Sequence, residues 1–155
     1  MSRAQEFRKS ALSDLSDEIG VYALCDLDGV PMYVGQSVDG IRSRVRRHLT
    51  SARSDIIANR QIDVWEIAYV WAWPVAEKSD IEPLEAALFQ RFDAEKPLMN
   101  GKVLPLNMNA VNEPVRQQIQ VIEEGERQRR LRPDQRLERQ IRQYGILVDY
   151  IQTVK

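Results

Sequence analysis

A chain of 155 residues, 43% of them apolar, can enclose one ordinary globular core and is too short for two large ones. Charge interrupts every apolar run well short of the roughly 20 residues a membrane span needs, the opening "MSRAQEFRKS" lacks the apolar centre of a secretory signal, and Cys25 is the only cysteine, so a membrane protein, an exported protein, a disulfide scaffold and a cysteine-based zinc site are disfavoured and a cytoplasmic chain is expected. A net charge of -1 argues against a protein that coats nucleic acid nonspecifically, although the arginines are unevenly spread.

Residues 3–17 have the spacing of a modestly amphipathic helix, with Phe7, Leu12 and Leu15 inward. "VYALC" and "PMYVG" then flank Asp28-Gly29, the pair favoured in a two-residue type I′ turn, which predicts a half-buried hairpin pairing Leu27 with Val30, Leu24 with Tyr33 and Tyr22 with Gly35. Ile41, Val45 and Leu49 recur at helical spacing in "SVDGIRSRVRRHLTSAR". "VWEIAYVWAW" is apolar at both parities and reads as a strand covered on both sides, ended by Pro74. In "SDIEPLEAALFQRF", Pro83 must fall in the first turn of a helix, so Asp80 is the expected N-cap, with Ile81, Leu84, Leu88 and Phe92 buried. A loop, "EKPLMNGKVLPLNMN", precedes a boundary near residue 105, and the remainder reads as two helices broken at Arg132-Pro133.

Chemistry-bearing residues gather on these elements. In the expected register, Tyr22 and Tyr33 are diagonal neighbours on one face, and Gly35 opposite Tyr22 leaves room for a ligand or another backbone. Arg44 and His48, at i and i+4, share one flank of the following helix. Arg42, Arg46 and Arg53 lie on the other flank and, with Arg47, make a basic helix suited to phosphate. Glu85 adjoins the buried stripe of its helix, so its carboxylate is either paired with an arginine or holding a metal, whereas Glu82 is explained by the dipole of the first turn. Between Glu126 and Arg142 seven arginines face three acids, while Val115, Ile119 and Ile122, then Leu137, Ile141, Tyr144 and Val148, recur at helical spacing. Those stripes are expected to dock on the rest of the chain or on a second copy, with Arg129, Arg130 and Arg136 lengthening a nucleic-acid footprint or the helices serving only as a lid on the core.

Taken in order, "GVY" at Gly20, Val21 and Tyr22, "YVG" at Tyr33, Val34 and Gly35, the arginine helix "RVRRHL", the glutamate helix "LEAALFQRF" and "KPLMN" over residues 18–104 resemble the GIY-YIG endonucleases. "VDGIRSR" departs from that pattern by an extra residue before the arginine helix, leaving Arg42 and Arg44 as candidates for one role, with the spacing to His48 favouring Arg44. The resemblance implies an α+β fold, a small three-stranded antiparallel sheet flanked by helices, with an N-terminal helix over 1–17, a nuclease domain over 18–104 and a helical extension over 105–155. It also implies a DNA endonuclease acting on double-stranded or branched DNA with one Mg2+ or Mn2+ held by Glu85, while Arg44 neutralises charge in the transition state. Tyr22 would act as general base, which requires its phenol to ionise well below the usual pKa of about 10. His48 would accept the phenol proton, Tyr33 would orient phosphate or water, and Asn100 would fix the loop beside the site. The competing expectation is a GIY-YIG fold without turnover that only binds nucleic acid or assembles with protein, and two chains could pair through the C-terminal helices.

Overall fold

A computed structural model describes residues 1–50, 62–100, 104 and 111–153. Strand β1 (Gly20–Cys25) is buried along its whole length, because β2 (Pro31–Ser37) and β3 (Tyr69–Pro74) pair antiparallel on its two sides and helices cover both faces. The hairpin is therefore not half-buried at its first strand. Tyr22 stands opposite Gly35 and Leu24 opposite Tyr33, as the sequence predicts. The turn is longer than two residues. Asp26 accepts the Gly29 N–H at its backbone carbonyl (3.0 Å) and the Asp28 and Val30 N–H groups at its carboxylate (2.9 and 3.0 Å), with Gly29 at φ +78°. A register shift after Leu24 absorbs the difference, pairing Cys25 with Pro31, so the tyrosine register survives the change of turn.

The sheet has four strands in the order β2-β1-β3-β4, which corrects the three-stranded expectation. Its last strand, β4 (Gln117–Gln120), lies where a helix was expected and pairs antiparallel with β3 from Tyr69↔Gln120 to Ala72↔Gln117. Val115, Ile119 and Ile122 satisfy a helical period by position alone, yet Val115 is 91% exposed while Ile119 packs on the core and Ile122 is buried. β3 also starts later than its apolar run suggests. Asp63 accepts the Trp65 N–H at 2.9 Å and caps a short 3-10 turn over Val64–Glu66.

One face of the sheet carries α1 (Arg3–Leu12) and α2 (Ile41–Thr50), with Leu12, Leu15, Tyr22, Leu24, Ile41, Val45, Leu49 and Val70 in one core. The other face carries α3 (Ile81–Glu95), whose Ile81, Leu84, Leu88 and Phe92 bury as expected against Val21, Ala23, Val34 and Trp73. Asp80 is the N-cap, but its side chain makes no capping hydrogen bond. α1 is shorter than the expected 3–17, and the reciprocal Ser2 and Gln5 capping box fixes its start. Its fully buried side chains are Leu12, as expected, and Arg8, whereas Phe7 is only half-buried. Arg8 donates to the carbonyls of Val64 and Ile67, both at 2.7 Å, and stacks over Trp65 at 4.2 Å.

After β4 come α4 (Glu124–Leu131) and α5 (Pro133–Thr153), broken at Arg132-Pro133 as the sequence predicts. Arg132 is extended, at ψ 148°, the region that a following proline imposes. Among the described residues no helix is long and apolar enough to cross a membrane.

Candidate active site

The strand register puts two phenols together. The Tyr22 and Tyr33 ring centroids are 6.3 Å apart and the planes are tilted by 34°. Gly35 makes that possible: a Cβ there would lie 2.5 Å from the Tyr22 hydroxyl oxygen and 2.9 Å from Tyr33 Cε1. The room opposite Tyr22 is thus taken by its own phenol and not by a ligand or another backbone.

α2 brings the next two groups. Asp17 fixes its start, accepting the Ser43 N–H at 3.0 Å and the Ser43 hydroxyl at 3.1 Å, while Gly40 at φ +126° lets the chain turn tightly against that carboxylate. Asp17 lies just before the GVY motif but 26 residues ahead of Ser43, and nothing local marks it as the support of α2. The helix then presents Arg44 and His48 one turn apart on its sheet side, and His48 is 3% exposed with its ring centroid 6.2 Å from that of Tyr22. Arg42 points elsewhere, donating from Nε to the Leu15 carbonyl at 2.8 Å. Of the two candidate arginines, Arg44 is the one that acts on the phenol.

Burial pushes the Tyr22 phenol well above its ordinary pKa, and neighbouring Tyr33 adds to the rise. The Arg44 guanidinium pulls the other way, as a hydrogen-bonding group and as a charge, and the Glu85 carboxylate opposes ionisation in turn. The chain's own charges therefore do not bring Tyr22 toward neutrality.

Glu85 is half-buried on α3, and the field of its carboxylate reaches the same phenol as Arg44. Among the described residues no three His, Cys, Asp or Glu side chains cluster to form a protein cage for a metal ion. Glu85, whose charge reaches the Tyr22 phenol, suits a hard divalent cation that keeps most of its water, and the described residues do not gather the three or four protein ligands that zinc takes. Asn100 grips β2 from outside: its Nδ2 donates to the Val34 carbonyl at 2.7 Å and its Oδ1 accepts the Val34 N–H at 3.2 Å.

The expected nucleic-acid arginines are dispersed. Arg46 is half-buried on α2, and exposed Arg47 approaches Asp39 at 3.6 Å. Arg53 lies outside the described residues. Arg129 and Arg130 both hold Glu126, at 2.7 and 3.0 Å, and draw that carboxylate down to about 2. Arg130 also donates to the Trp65 carbonyl at 3.1 Å, and Arg136 lies 4.0 Å from Asp28.

The family model for the GIY-YIG catalytic domain matches residues 18–98, just over half of the chain. Among solved structures, the chain is similar to the GIY-YIG N-terminal endonuclease domain of UvrC from Thermotoga maritima, a point mutant bound to its catalytic divalent cation. The two are 24% identical over 66% of this chain and 100% of that one, at a TM-score of 0.47. No curated protein matches the chain.

Proposed function

We propose, from the premise that the chain belongs to the GIY-YIG family of nucleases, that it is an endonuclease hydrolysing phosphodiester bonds of double-stranded or branched DNA in the cytoplasm with one Mg2+ or Mn2+. The observation that carries this reading is the convergence on one buried phenol. Tyr33 and His48 rings stand 6.3 and 6.2 Å from Tyr22, and Arg44 and Glu85 act on its charge from two other elements.

Each residue then has a task suited to its chemistry. Glu85 would hold the cation, which when bound would supply positive charge to the phosphate undergoing hydrolysis. Arg44 neutralises charge that builds on the phosphate in the transition state. Tyr22 takes a proton from the attacking water only if its own proton has somewhere to go, because burial opposes a standing phenolate. His48 is the adjoining group able to accept it. Tyr33 orients the phosphate or water, and Asn100 holds the β2 backbone between Tyr33 and Gly35 in place. The basic residues Arg42, Arg46, Arg47, Arg53, Arg129, Arg130 and Arg136 remain candidates for phosphate contact, and among the described ones Arg47 and Arg136 approach exposed carboxylates at 3.6 and 4.0 Å.

The second reading is a GIY-YIG fold that binds without cutting, and the raised Tyr22 pKa is what favours it. Incubation with plasmid, branched and single-stranded DNA, with Mg2+ and with chelator, separates the two. Metal-dependent nicking of at least one substrate is expected. Binding to DNA without cleavage under any divalent cation would give the second reading.

A further inference from the structure

α5 carries an apolar stripe that faces away from its own domain. Leu137, Ile141 and Tyr144 are 62%, 63% and 69% exposed. Their spacings of four and three continue through Val148 and Ile151 in the sequence. An alternation of fours and threes averages 3.5 residues, the period of a seam between two helices, whereas a helix lying on a globular core shows a wider stripe at 3.6.

The opposite side of α5 is already committed. Arg139 reaches Glu66 at 3.2 Å, with side chains only 13% and 4% exposed. At about 100° per residue, Arg139 stands roughly 200° around the helix from Leu137. Turning the stripe inward would pull this buried ion pair apart, so with the helix seated as it is the described residues of the domain leave the stripe uncovered.

Gly145 supplies a separate observation. It lies inside α5, where glycine is the poorest helix former short of proline, and a Cβ there would meet nothing within 4 Å. Among the described residues no neighbour calls for the missing side chain. It adjoins Ile141 and Tyr144, where a bare backbone admits a second helix closely.

Charge selects the occupant. In a heptad that sets Ile141 and Val148 at one core position and Leu137, Tyr144 and Ile151 at the other, Arg136, Arg139 and Arg142 all fall outside the seam. Its flanks are Gln140, Gly145, Leu147 and Gln152, with Glu138 the one charge. Two copies meet along such a seam without like-charge repulsion, and an acidic or basic partner would find no row of opposite charge. We propose that α5 pairs with α5 of a second copy of this chain across a two-fold axis. The seam from Leu137 to Ile151 is only about 21 Å long, which suits a reversible dimer smaller than a standard interface.

Sedimentation equilibrium over a range from about 1 to 200 μM, centred on the micromolar affinities expected of so small an interface, tests the pairing. The wild-type mass should rise from 18.0 kDa toward twice that value. Ile141→Glu should stay at the monomer mass throughout, as should Leu137→Gln combined with Tyr144→Gln. All three positions are exposed in the single chain, so both variants should keep the wild-type circular dichroism. Arg142→Gln, off the seam, should dimerise as wild type. A wild-type protein that stays at 18.0 kDa overturns the proposal, and so does an Ile141→Glu protein that dimerises unchanged. A lower melting temperature of Ile141→Glu with wild-type mass fixed at the monomer would mean that the stripe docks on its own domain, which also overturns it.

Discussion

Asn100 spends both ends of its amide on one residue, donating to the Val34 carbonyl at 2.7 Å and accepting from the Val34 N–H at 3.2 Å. Beside it, Met99 N–H donates to the Met32 carbonyl at 2.7 Å, so residues 99 and 100 act as a short strut on the outer edge of β2. Val34 lies between Tyr33 and Gly35, the residues that set the phenol pair. Asn100→Ala should cost about 1 to 2 kcal/mol for two lost hydrogen bonds, seen as a lower melting temperature. In cleavage assays it should lower kcat more than it raises KM, because it loosens the site without touching DNA. A change confined to KM would place Asn100 in binding instead.

Glu85→Ala should abolish Mg2+-dependent cleavage and leave the melting temperature close to wild type, since Glu85 is half-buried at the margin of the α3 stripe. Cleavage at the wild-type rate would remove Glu85 from the metal site and strengthen the binding-only reading.

Tyr22→Phe and Tyr33→Phe keep the ring packing and delete a hydroxyl each. Loss of a general base typically costs about 10² to 10⁴-fold in rate, and Tyr22→Phe should fall in that range with the fold intact by circular dichroism. Tyr33→Phe should lose less if it only orients. The reverse order would transfer the base to Tyr33, the less buried phenol of the pair.

The raised Tyr22 pKa makes an alkaline prediction. Folded protein keeps this proton where the unfolded chain, with a phenol pKa of about 10, releases it. Stability is therefore unaffected below that pH and falls as pH rises beyond it. Cys25, lifted chiefly by burial in β1 with Asp26 adding to the rise, works in the same direction from about pH 8.5. Near-ultraviolet titration of the five tyrosines should show one phenolate appearing only together with unfolding. That late step should vanish in Tyr22→Phe, and the single thiol should react with disulfide reagents only once the protein unfolds.

The arginines divide by what they already hold. Arg42 and Arg130 donate to the carbonyls of Leu15 and Trp65, so Arg42→Gln and Arg130→Gln should each cost on the order of 1 kcal/mol and lower the melting temperature. Arg47, Arg129 and Arg136 hold carboxylates at the surface, where ion pairs contribute little. Replacing these three with Gln should leave the melting temperature alone and, for each that meets duplex phosphate, reduce the slope of log affinity against log salt by about 0.9. An unchanged slope would remove them from the interface.

The hairpin register, α2 and α3 were legible because each rests on a local signal: alternation around a turn for the hairpin and apolar spacing for the helices. Tyr22 opposite Gly35 survived even an error in the turn, since the shift at Cys25 compensates for the longer loop. What could not be read depends on distant partners. β4 is a strand because the open edge of β3 takes it, and "QQIQ" carries no period strong enough to announce that. Arg8 reads as one more solvated charge in a polar helix, yet the carbonyls that bury it come from Val64 and Ile67, 56 and 59 residues away. Spacing paired Tyr22 with Tyr33 and Arg44 with His48, and the family resemblance joined the two pairs, while the upward displacement of the Tyr22 pKa needed the depth of β1 in the sheet.

β4 also imposes an order of events on a growing chain. Ser16 and Asp14 are bound by Gln117 at 2.9 and 2.8 Å, Arg8 reaches the Val121 carbonyl, and Arg3 meets Glu123 at 3.1 Å, contacts that close loops of 101 to 120 residues. Loops of that length close late and at the greatest entropic cost. A nascent chain released as far as Asn100 carries Tyr22, Tyr33, Arg44, His48 and Glu85, and lacks the strand that finishes the seat of Arg8. Before then Arg8 can hold only the carbonyls of Val64 and Ile67, so α1 gains its final contacts when β4 arrives.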